Sequence, residues 1–279
     1  MSKEKKTYNP FRDKTEMEEE IISFLNKNRT FLRNQADRIS DYFEMCCYNY
    51  IVKYYLAMDY SIQADNLIGK GFRYKLSPSG YPENFSFFKI SKKIVEDGKE
   101  MMADFEIHHN LTVQSCFQED IFLTPDISVI NSNSIVCDQN HYLVEHTSKK
   151  FCFVKNEDLQ TFCEVKQFNP FPELIFSFTG LYSEMISEKK SFDSRIEHIA
   201  PSLMISGKGN THTEVIRKSI EKRYPSNIVY DLFEWGRFLF TKSNSGEFVK
   251  ISSSNPKMVN FEENNQCAET FISEEDLPF

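Results

Sequence analysis

The first long pattern of apolar residues along the chain has the period of a helix. Between Glu18 and Met58, apolar side chains recur every three or four positions, which places them on one helical face. The stretch is long for one helix, so a single helix and two helices with a break near NKNRT both fit. The turn-forming residues of KLSPSGYPEN, at 75–84, follow it.

A region of predicted strands comes next. Its segments are short, rich in β-branched and aromatic residues, and mostly separated by Asn, Asp, Ser or Gly. They cover residues 85–91, 104–116, 121–130, 142–146, 151–154 and 161–166.

From residue 172 onward, the pattern changes to alternating helices and strands. The segment PELIFSFTGLYSEMIS predicts a helix with Pro172 in its first turn. After a strand at 202–207, a second helix is predicted to start with a capping box of Thr211 and Glu214 and to stop at Pro225. A strand at 227–233 completes a unit that is expected to be a right-handed parallel crossover.

Composition and charge narrow the setting. The 279 residues are 40% hydrophobic, which is enough for one large core. The sequence contains no run of about 20 apolar residues, which is the length needed to span a membrane. An N-terminus without an apolar segment predicts a cytoplasmic protein. The chain has seven cysteines, an odd number, and they are irregularly spaced. We therefore expect reduced and mostly buried thiols.

The net charge of −8 does not exclude a nucleic-acid partner. Residues 259–279 contain six acidic residues and neither Lys nor Arg. The rest of the chain is therefore close to neutral, and local basic patches could contact a phosphate backbone.

Charged residues inside two predicted strands are the strongest indication of chemistry. In TFCEVKQF, at 161–168, Glu164 and Lys166 share one face of the strand. Pro125-Asp126, the only Pro-Asp pair in the chain, lies inside the apolar segment IFLTPDISVI. Charges in apolar surroundings are normally paired, hold a metal or do chemistry. Two carboxylates and a lysine at one sheet edge could bind Mg²⁺ and assist phosphodiester hydrolysis.

The order of Pro-Asp, Glu-x-Lys on a strand, an amphipathic helix and a β-α-β unit resembles the PD-(D/E)XK nuclease superfamily. This resemblance implies a restriction-endonuclease-like fold, in the α/β (α+β) class, with a mixed central sheet flanked by helices. It implies that Asp126 and Glu164 bind Mg²⁺ or Mn²⁺, with the backbone carbonyl of Val165 as a further ligand, and that Lys166 assists the attacking water. The 37 residues between Asp126 and Glu164 require an inserted hairpin, expected at roughly 141–154.

The resemblance also divides the chain. Residues 1–40 are expected to form an N-terminal arm and helix, residues 41–240 a nuclease domain, and residues 241–279 a peripheral hairpin with an acidic flexible tail. The implied substrate is DNA, cut by an endonuclease rather than an exonuclease, in restriction or antiviral defence. A homodimer or a subunit of a larger complex is compatible with this implied function, and a membrane partner is not expected.

Other residues are weaker candidates. An additional acidic ligand could come from Glu44, Asp59 or Glu106, and a basic group that could contact nucleic acid consists of Lys208, Arg217, Lys218, Lys222 and Arg223. Two alternatives stay open. The protein could be a catalytically inactive subunit with the nuclease fold that binds nucleic acid or a protein, or Glu164 and Lys166 could form an ordinary cross-strand ion pair.

Overall fold

The structure is a computed structural model that describes residues 39–67, 71–96, 98–139, 141, 149–186, 196–230, 232, 240–242 and 248–250. The helices in this part of the chain are α1 (Ile39–Ala57), α2 (Pro172–Met185) and α3 (Thr211–Glu221). The main sheet contains β1 (Ser61–Asp65), β2 (Phe87–Glu96), β3 (Lys99–His109), β6 (Ile127–Asn131), β9 (Leu159–Lys166), β10 (Ser202–Ile205) and β11 (Asn227–Val229). A smaller sheet contains β4 (Val113–Gln114), β5 (Phe122–Leu123), β7 (Ile135–Asp138) and β8 (Phe151–Val154), and β12 (Phe240–Lys242) pairs with β13 (Phe248–Lys250).

The main sheet is mixed. Its strands lie in the order β1-β2-β3-β6-β9-β10-β11. Neighbours from β1 to β9 are antiparallel, whereas β9, β10 and β11 are parallel. The parallel pairs are the ones connected through α2 and α3, because a parallel connection needs a crossover. The predicted class, a mixed sheet flanked by helices, is confirmed at this level.

Two predicted strands are each interrupted. Residues 104–116 were expected to be continuous, but the chain turns at Asn110, whose φ of 51° ends β3. Residues 121–130 divide into β5 and β6 around Pro125-Asp126, since proline has no N–H for a ladder. The hairpin of β2 and β3, which turns at Gly98 with φ 76°, is longer than the pattern indicated.

Each face of the main sheet has its own core. On one face, α1 buries Phe43, Tyr48, Ile51 and Tyr55 against residues of β3, β6 and β9. On the other face, α2 and α3 bury Ile175, Phe178, Tyr182, Ile216 and Ile220. Strand β9 contributes to both clusters, since Cys163 belongs to the first and Phe162 to the second. The predicted alternation of this strand is therefore correct.

The first turn of α3 corrects a detail of the sequence prediction. The N-cap is Asn210, whose side chain accepts a hydrogen bond from the Thr213 N–H at 3.0 Å, while the Asn210 N–H donates to the Thr213 hydroxyl. Thr211 and Glu214 do not form the predicted capping box. The backbone of Asn210 is extended, as an N-cap requires, and Thr211 is already helical.

The smaller sheet has the order β5-β4-β8-β7 and corrects two predictions. Its hairpin of β7 and β8 starts near Ile135 rather than at 141. Cys137 and Cys152 lie opposite each other in this hairpin and form a disulfide, because strand register brings residues together whatever their spacing in the chain. Cys47 and Cys163 are buried thiols, as expected. The predicted strand at 142–146 lies outside the described residues.

Two further predictions concern the ends of the chain. The proposed helix break near residues 26–30 and the acidic segment 259–279 lie outside the described residues. Within the described part of the chain, no helix combines the length and apolar character needed to cross a membrane.

Candidate active site

The three residues singled out in the sequence meet where β6 begins and β9 ends. Ile127 pairs with Cys163 in this antiparallel ladder, so Asp126, one residue earlier, comes beside Glu164. Both residues are only 9% exposed. Lys166, two residues further along β9, has a more accessible side chain.

Hydrogen bonds join the three side chains. The Asp126 Oδ2 atom accepts from the Val165 N–H at 2.6 Å and from the Lys166 Nζ at 3.1 Å. The same Lys166 Nζ lies 2.7 Å from the Glu164 Oε2 atom. One ammonium group therefore bridges two carboxylates, which are fixed by adjacent strands.

The cluster contains more negative charge than its lysine balances. Burial raises the pKa of Glu164 to about 7, the charge of Asp126 acts in the same direction, and Lys166 only partly opposes them. Burial by itself would lower the pKa of Lys166, but the charges of Glu164 and Asp126 outweigh it and hold that pKa above its ordinary value. Lys166 is therefore a permanent cation, while Glu164 changes its charge near neutral pH.

Helix α1 brings a third carboxylate towards the cluster. The Cys47 thiol has a pKa well above its ordinary value, chiefly through burial, and the charges of Asp126 and Glu44 are among the smaller causes. Both carboxylates therefore lie within electrostatic range of one thiol. The Glu44 Oε2 atom is also 3.6 Å from the Nε2 atom of His109. Of the three additional acidic candidates, Glu44 is the one that the fold brings near the site.

The neighbouring His109 is a neutral ring. Burial lowers its pKa to about 3, with a smaller effect from Lys75, so its contact with Glu44 is not an ion pair at neutral pH. Among the residues that the structure describes, neither ring nitrogen has a hydrogen-bond partner, although both are buried.

Asp59 and Glu106 are not brought to the site. Asp59 is exposed just beyond the end of α1, 15 residues after Glu44, which corresponds to roughly 20 Å along a helix. Glu106 pairs with Ile130 on β6, four residues from Asp126 and thus about 13 Å away. It is also engaged locally, by His108 at 2.8 Å and by the Asn133 N–H at 2.9 Å.

Some of the basic residues proposed to contact nucleic acid are already engaged in ion pairs within the protein. Arg217 pairs with Glu214 and with Glu221 on its own helix, and Lys218 lies 3.7 Å from Glu214. Lys222 and Arg223 are exposed at the opposite end of α3 from its N-cap. Lys208 is the closest to the site in the fold, because its loop hydrogen-bonds the end of β9 through Ser206 N–H to the Lys166 carbonyl at 3.1 Å.

A supporting network around Asp126 was missed in the sequence. The Asn110 N–H donates to the Asp126 carbonyl at 2.8 Å. Lys75, which is buried, donates from Nζ to the Asn110 carbonyl, and the Asn110 side chain donates back to the Lys75 carbonyl at 2.8 Å. Burial lowers the pKa of Lys75 to about 8. The only signal was that Lys75 stands between Tyr74 and Leu76, in the segment FRYKL.

The side chains of the cluster do not by themselves supply a complete set of ligands for a metal ion. In the residues that the structure describes, the one group of three ligand atoms within 4.8 Å of one another is Glu83, Cys137 and Cys152. The two cysteines form the disulfide, and Glu83 pairs with Lys150. The cluster of Asp126 and Glu164 thus offers two close carboxylates, which suits a cation that keeps several waters.

Comparisons with known proteins give no independent assignment. No protein-family model, no curated protein and no solved structure matches this chain.

Proposed function

We propose that this protein is a Mg²⁺- or Mn²⁺-dependent nuclease that hydrolyses phosphodiester bonds, with DNA as the expected substrate. The observation that carries the proposal is the position of Lys166 Nζ, 3.1 Å from Asp126 Oδ2 and 2.7 Å from Glu164 Oε2. A structural ion pair needs one carboxylate. The second carboxylate, buried beside the first, adds repulsion and has no evident structural purpose.

The chemistry of the donors fits a hard divalent cation. The raised pKa of Glu164, which results from burial and from Asp126, reflects negative charge that a divalent cation would relieve. Oxygen ligands are what Mg²⁺ prefers, and it is commonly held by one or two carboxylates with several waters. Asp126 and Glu164 would hold the ion, with Glu44 and the Val165 carbonyl as further oxygen donors on the neighbouring elements.

The roles of the residues follow from their charges. A bound divalent cation would supply Lewis-acid activation of water and of a phosphoryl oxygen. Lys166, whose pKa is held above its ordinary value, stays protonated and would donate hydrogen bonds to the attacking water or to the phosphate as negative charge grows. The Val165 N–H donor holds the Asp126 carboxylate in a fixed orientation.

The topology adds support for membership of the PD-(D/E)XK superfamily. The strand after Asp126 is antiparallel to the strand of Glu164 and Lys166, and this second strand is followed by α2 and by a parallel strand. The structure thus contains these elements in the chain order on which the resemblance rests. The implied role in restriction or antiviral defence stays a prediction.

The second candidate function is an inactive subunit with the same fold. It is favoured by one observation: the protein itself supplies a cation between the two carboxylates, since Lys166 Nζ contacts both Asp126 and Glu164. Such a closed triad could be retained as a structural feature while the sheet and helices bind a nucleic acid or a protein.

A cleavage assay separates the two functions. Plasmid DNA, single-stranded DNA and RNA are each incubated with Mg²⁺ or Mn²⁺ and with wild-type protein, Lys166→Ala or Asp126→Ala. We expect cleavage that depends on the metal and falls by at least about a hundredfold in both variants. Lys155→Ala is the matched control, since Lys155 forms an exposed ion pair with Glu157 away from the site. Cleavage that both site variants retain would refute the nuclease proposal.

A further inference from the structure

Two phenylalanine rings are displayed beside the candidate active site. In the segment QFNPFP that follows Lys166, Phe168 is 60% exposed and Phe171 is 45% exposed. Phe168 is two residues from Lys166, so their Cα atoms are at most about 7 Å apart. Pro170, which lies between the two rings, is buried. The loop therefore packs onto the protein through its proline and presents both aromatic residues to solvent.

The backbone of this loop is held in place. The Gly207 N–H donates to the Phe168 carbonyl at 3.0 Å, and the Ile175 N–H donates to the Phe171 carbonyl at 3.2 Å. Gly207 approaches so closely that a Cβ atom there would clash with the Phe168 carbonyl oxygen and with Asn169 Oδ1. The rings are thus carried by a fixed backbone on both sides of the loop.

Neither ring serves the core of the described structure. Helix α2, which starts at Pro172, buries Ile175, Phe178, Tyr182 and Met185 against the sheet, and its N-terminal neighbour Phe171 is outside that set. Two exposed aromatic rings three residues apart in a loop next to the candidate site offer apolar surface to a ligand, whereas a single exposed apolar residue elsewhere on the protein needs no explanation.

The chemistry of the neighbouring site identifies the occupant. A phosphodiester bound at Lys166 carries a base on each adjoining nucleotide, within a few ångströms of the loop. Every base has a π-face that stacks on an aromatic side chain, whatever its sequence. In a duplex those faces are covered by neighbouring base pairs, so only an unpaired strand offers them. The exposed Lys208, in the loop whose Gly207 contacts Phe168, adds positive charge for the backbone of such a strand.

We propose that Phe168 and Phe171 form a stacking platform for unpaired bases next to the scissile phosphate, and that the substrate is therefore single-stranded nucleic acid. This inference rests on the proposed nuclease function and specifies its substrate class.

The test compares a single-stranded oligonucleotide with the same strand in a blunt duplex, under Mg²⁺ or Mn²⁺. Wild-type protein cleaves the single strand faster. The double variant Phe168→Ala/Phe171→Ala loses about tenfold or more of kcat/KM on the single strand, with a melting temperature close to that of wild type because neither ring belongs to a core cluster. Phe168→Trp/Phe171→Trp, which keeps aromatic faces, retains most of the activity.

The matched control is Phe117→Ala. Phe117 is 73% exposed, and the adjacent Cys116 hydrogen-bonds the Glu184 carbonyl near the far end of α2, roughly 18 Å along the helix from the platform. This control is expected to cleave like wild type. An equal loss on both substrates in the platform variant, or no loss on either, would overturn the stacking role.

Binding separates failure of the platform from failure of the nuclease. The affinity of the Lys166→Ala protein for a fluorescent single-stranded oligonucleotide is measured by anisotropy, with and without the platform substitutions. Weaker binding in their presence supports the platform even if no cleavage is found. Unchanged binding refutes it, and if the same substitutions alter the oligomeric state in size-exclusion chromatography, the rings are a protein contact instead.

Discussion

At the residue scale, the candidate site is defined by three side chains with unequal roles. The carboxylate of Asp126 is oriented by the Val165 N–H, and Lys166 bridges the two carboxylates. The pKa of Glu164 is raised to about 7. The sequence predicted this group because strand alternation puts Glu164 and Lys166 on one face, and because Asp126 belongs to the only Pro-Asp pair of the chain. It could not predict how strongly burial acts on Glu164, since that depends on what packs around the strand.

The raised pKa of Glu164 makes the stability of the protein depend on pH. A carboxyl whose pKa is about 7 in the folded state, from an ordinary 4.5, binds more protons folded than unfolded between those values. Stability should therefore fall as the pH rises from 4.5 to 7, by at most about 3 kcal/mol from this group. Urea unfolding across this range should show that Glu164→Gln reduces the decline. An equal decline in the variant would show that Glu164 is not its source.

Asn110 provides a second prediction at this scale. Its φ is 51°, and its N–H holds the carbonyl of Asp126. Asn110→Ala loses the amide contact with Lys75 and also pays the left-handed strain of about 1–2 kcal/mol, which Asn110→Gly avoids. In urea unfolding, the alanine variant should be the less stable of the two by about 1 kcal/mol. Equal stabilities would argue against the left-handed turn.

At the scale of elements, the short β-α-β units were predictable and the turns were not. Helices α2 and α3 have apolar faces of helical period, bounded by Pro172 and Pro225. The positions of the turns at Asn110 and Pro125 depend on where neighbouring strands can pair. For this reason the apolar segments 104–116 and 121–130 were each predicted as one continuous strand. The Cys137–Cys152 disulfide is a consequence of strand register in the same way.

The start of α3 allows a direct comparison of sequence and structure. Asn210 caps the helix through the Thr213 N–H, whereas the sequence predicted Thr211 as the cap. Asn210→Ala should lower the free energy of unfolding by about 1 kcal/mol. Thr211→Ala should change it little, because Thr211 is exposed in the first turn. Urea denaturation of both variants decides the matter, and a larger loss in the threonine variant would favour the sequence-based cap.

At the scale of the whole molecule, the site is assembled from elements that are distant in the chain. Asp126 lies directly before β6 and Glu164 lies on the adjacent strand β9 of the seven-stranded sheet, while Glu44 comes from the helix that packs on one face of that sheet. Because the site exists only in the folded protein, any cation that binds there must stabilise the fold.

Metal binding should therefore raise the melting temperature. With Mg²⁺ or Mn²⁺ at about 100 times its Kd, the gain is about 2.7 kcal/mol, or several degrees. The shift should be larger at pH 8 than at pH 5.5, because Glu164, with a pKa of about 7, must be ionised to bind the cation. Differential scanning fluorimetry with and without the metal, at both pH values, measures the shift in melting temperature.

Two variants make this measurement specific. Asp126→Asn should remove the metal-dependent shift, whereas Glu157→Gln, at an exposed ion pair away from the site, should keep it. An identical shift in wild type and in Asp126→Asn would place the cation elsewhere.

The sequence by itself determined the alternation of strand β9, the faces of α2 and α3 and the three residues Asp126, Glu164 and Lys166. These features depend on local periodicity, which is written in neighbouring positions. The tertiary structure alone decided the proximity of Glu44, the exclusion of Asp59 and Glu106, the Lys75–Asn110 support and the exposure of Phe168 and Phe171. These depend on which distant segments pack together, and long-range packing is set by the burial of the whole chain rather than by any short segment of it.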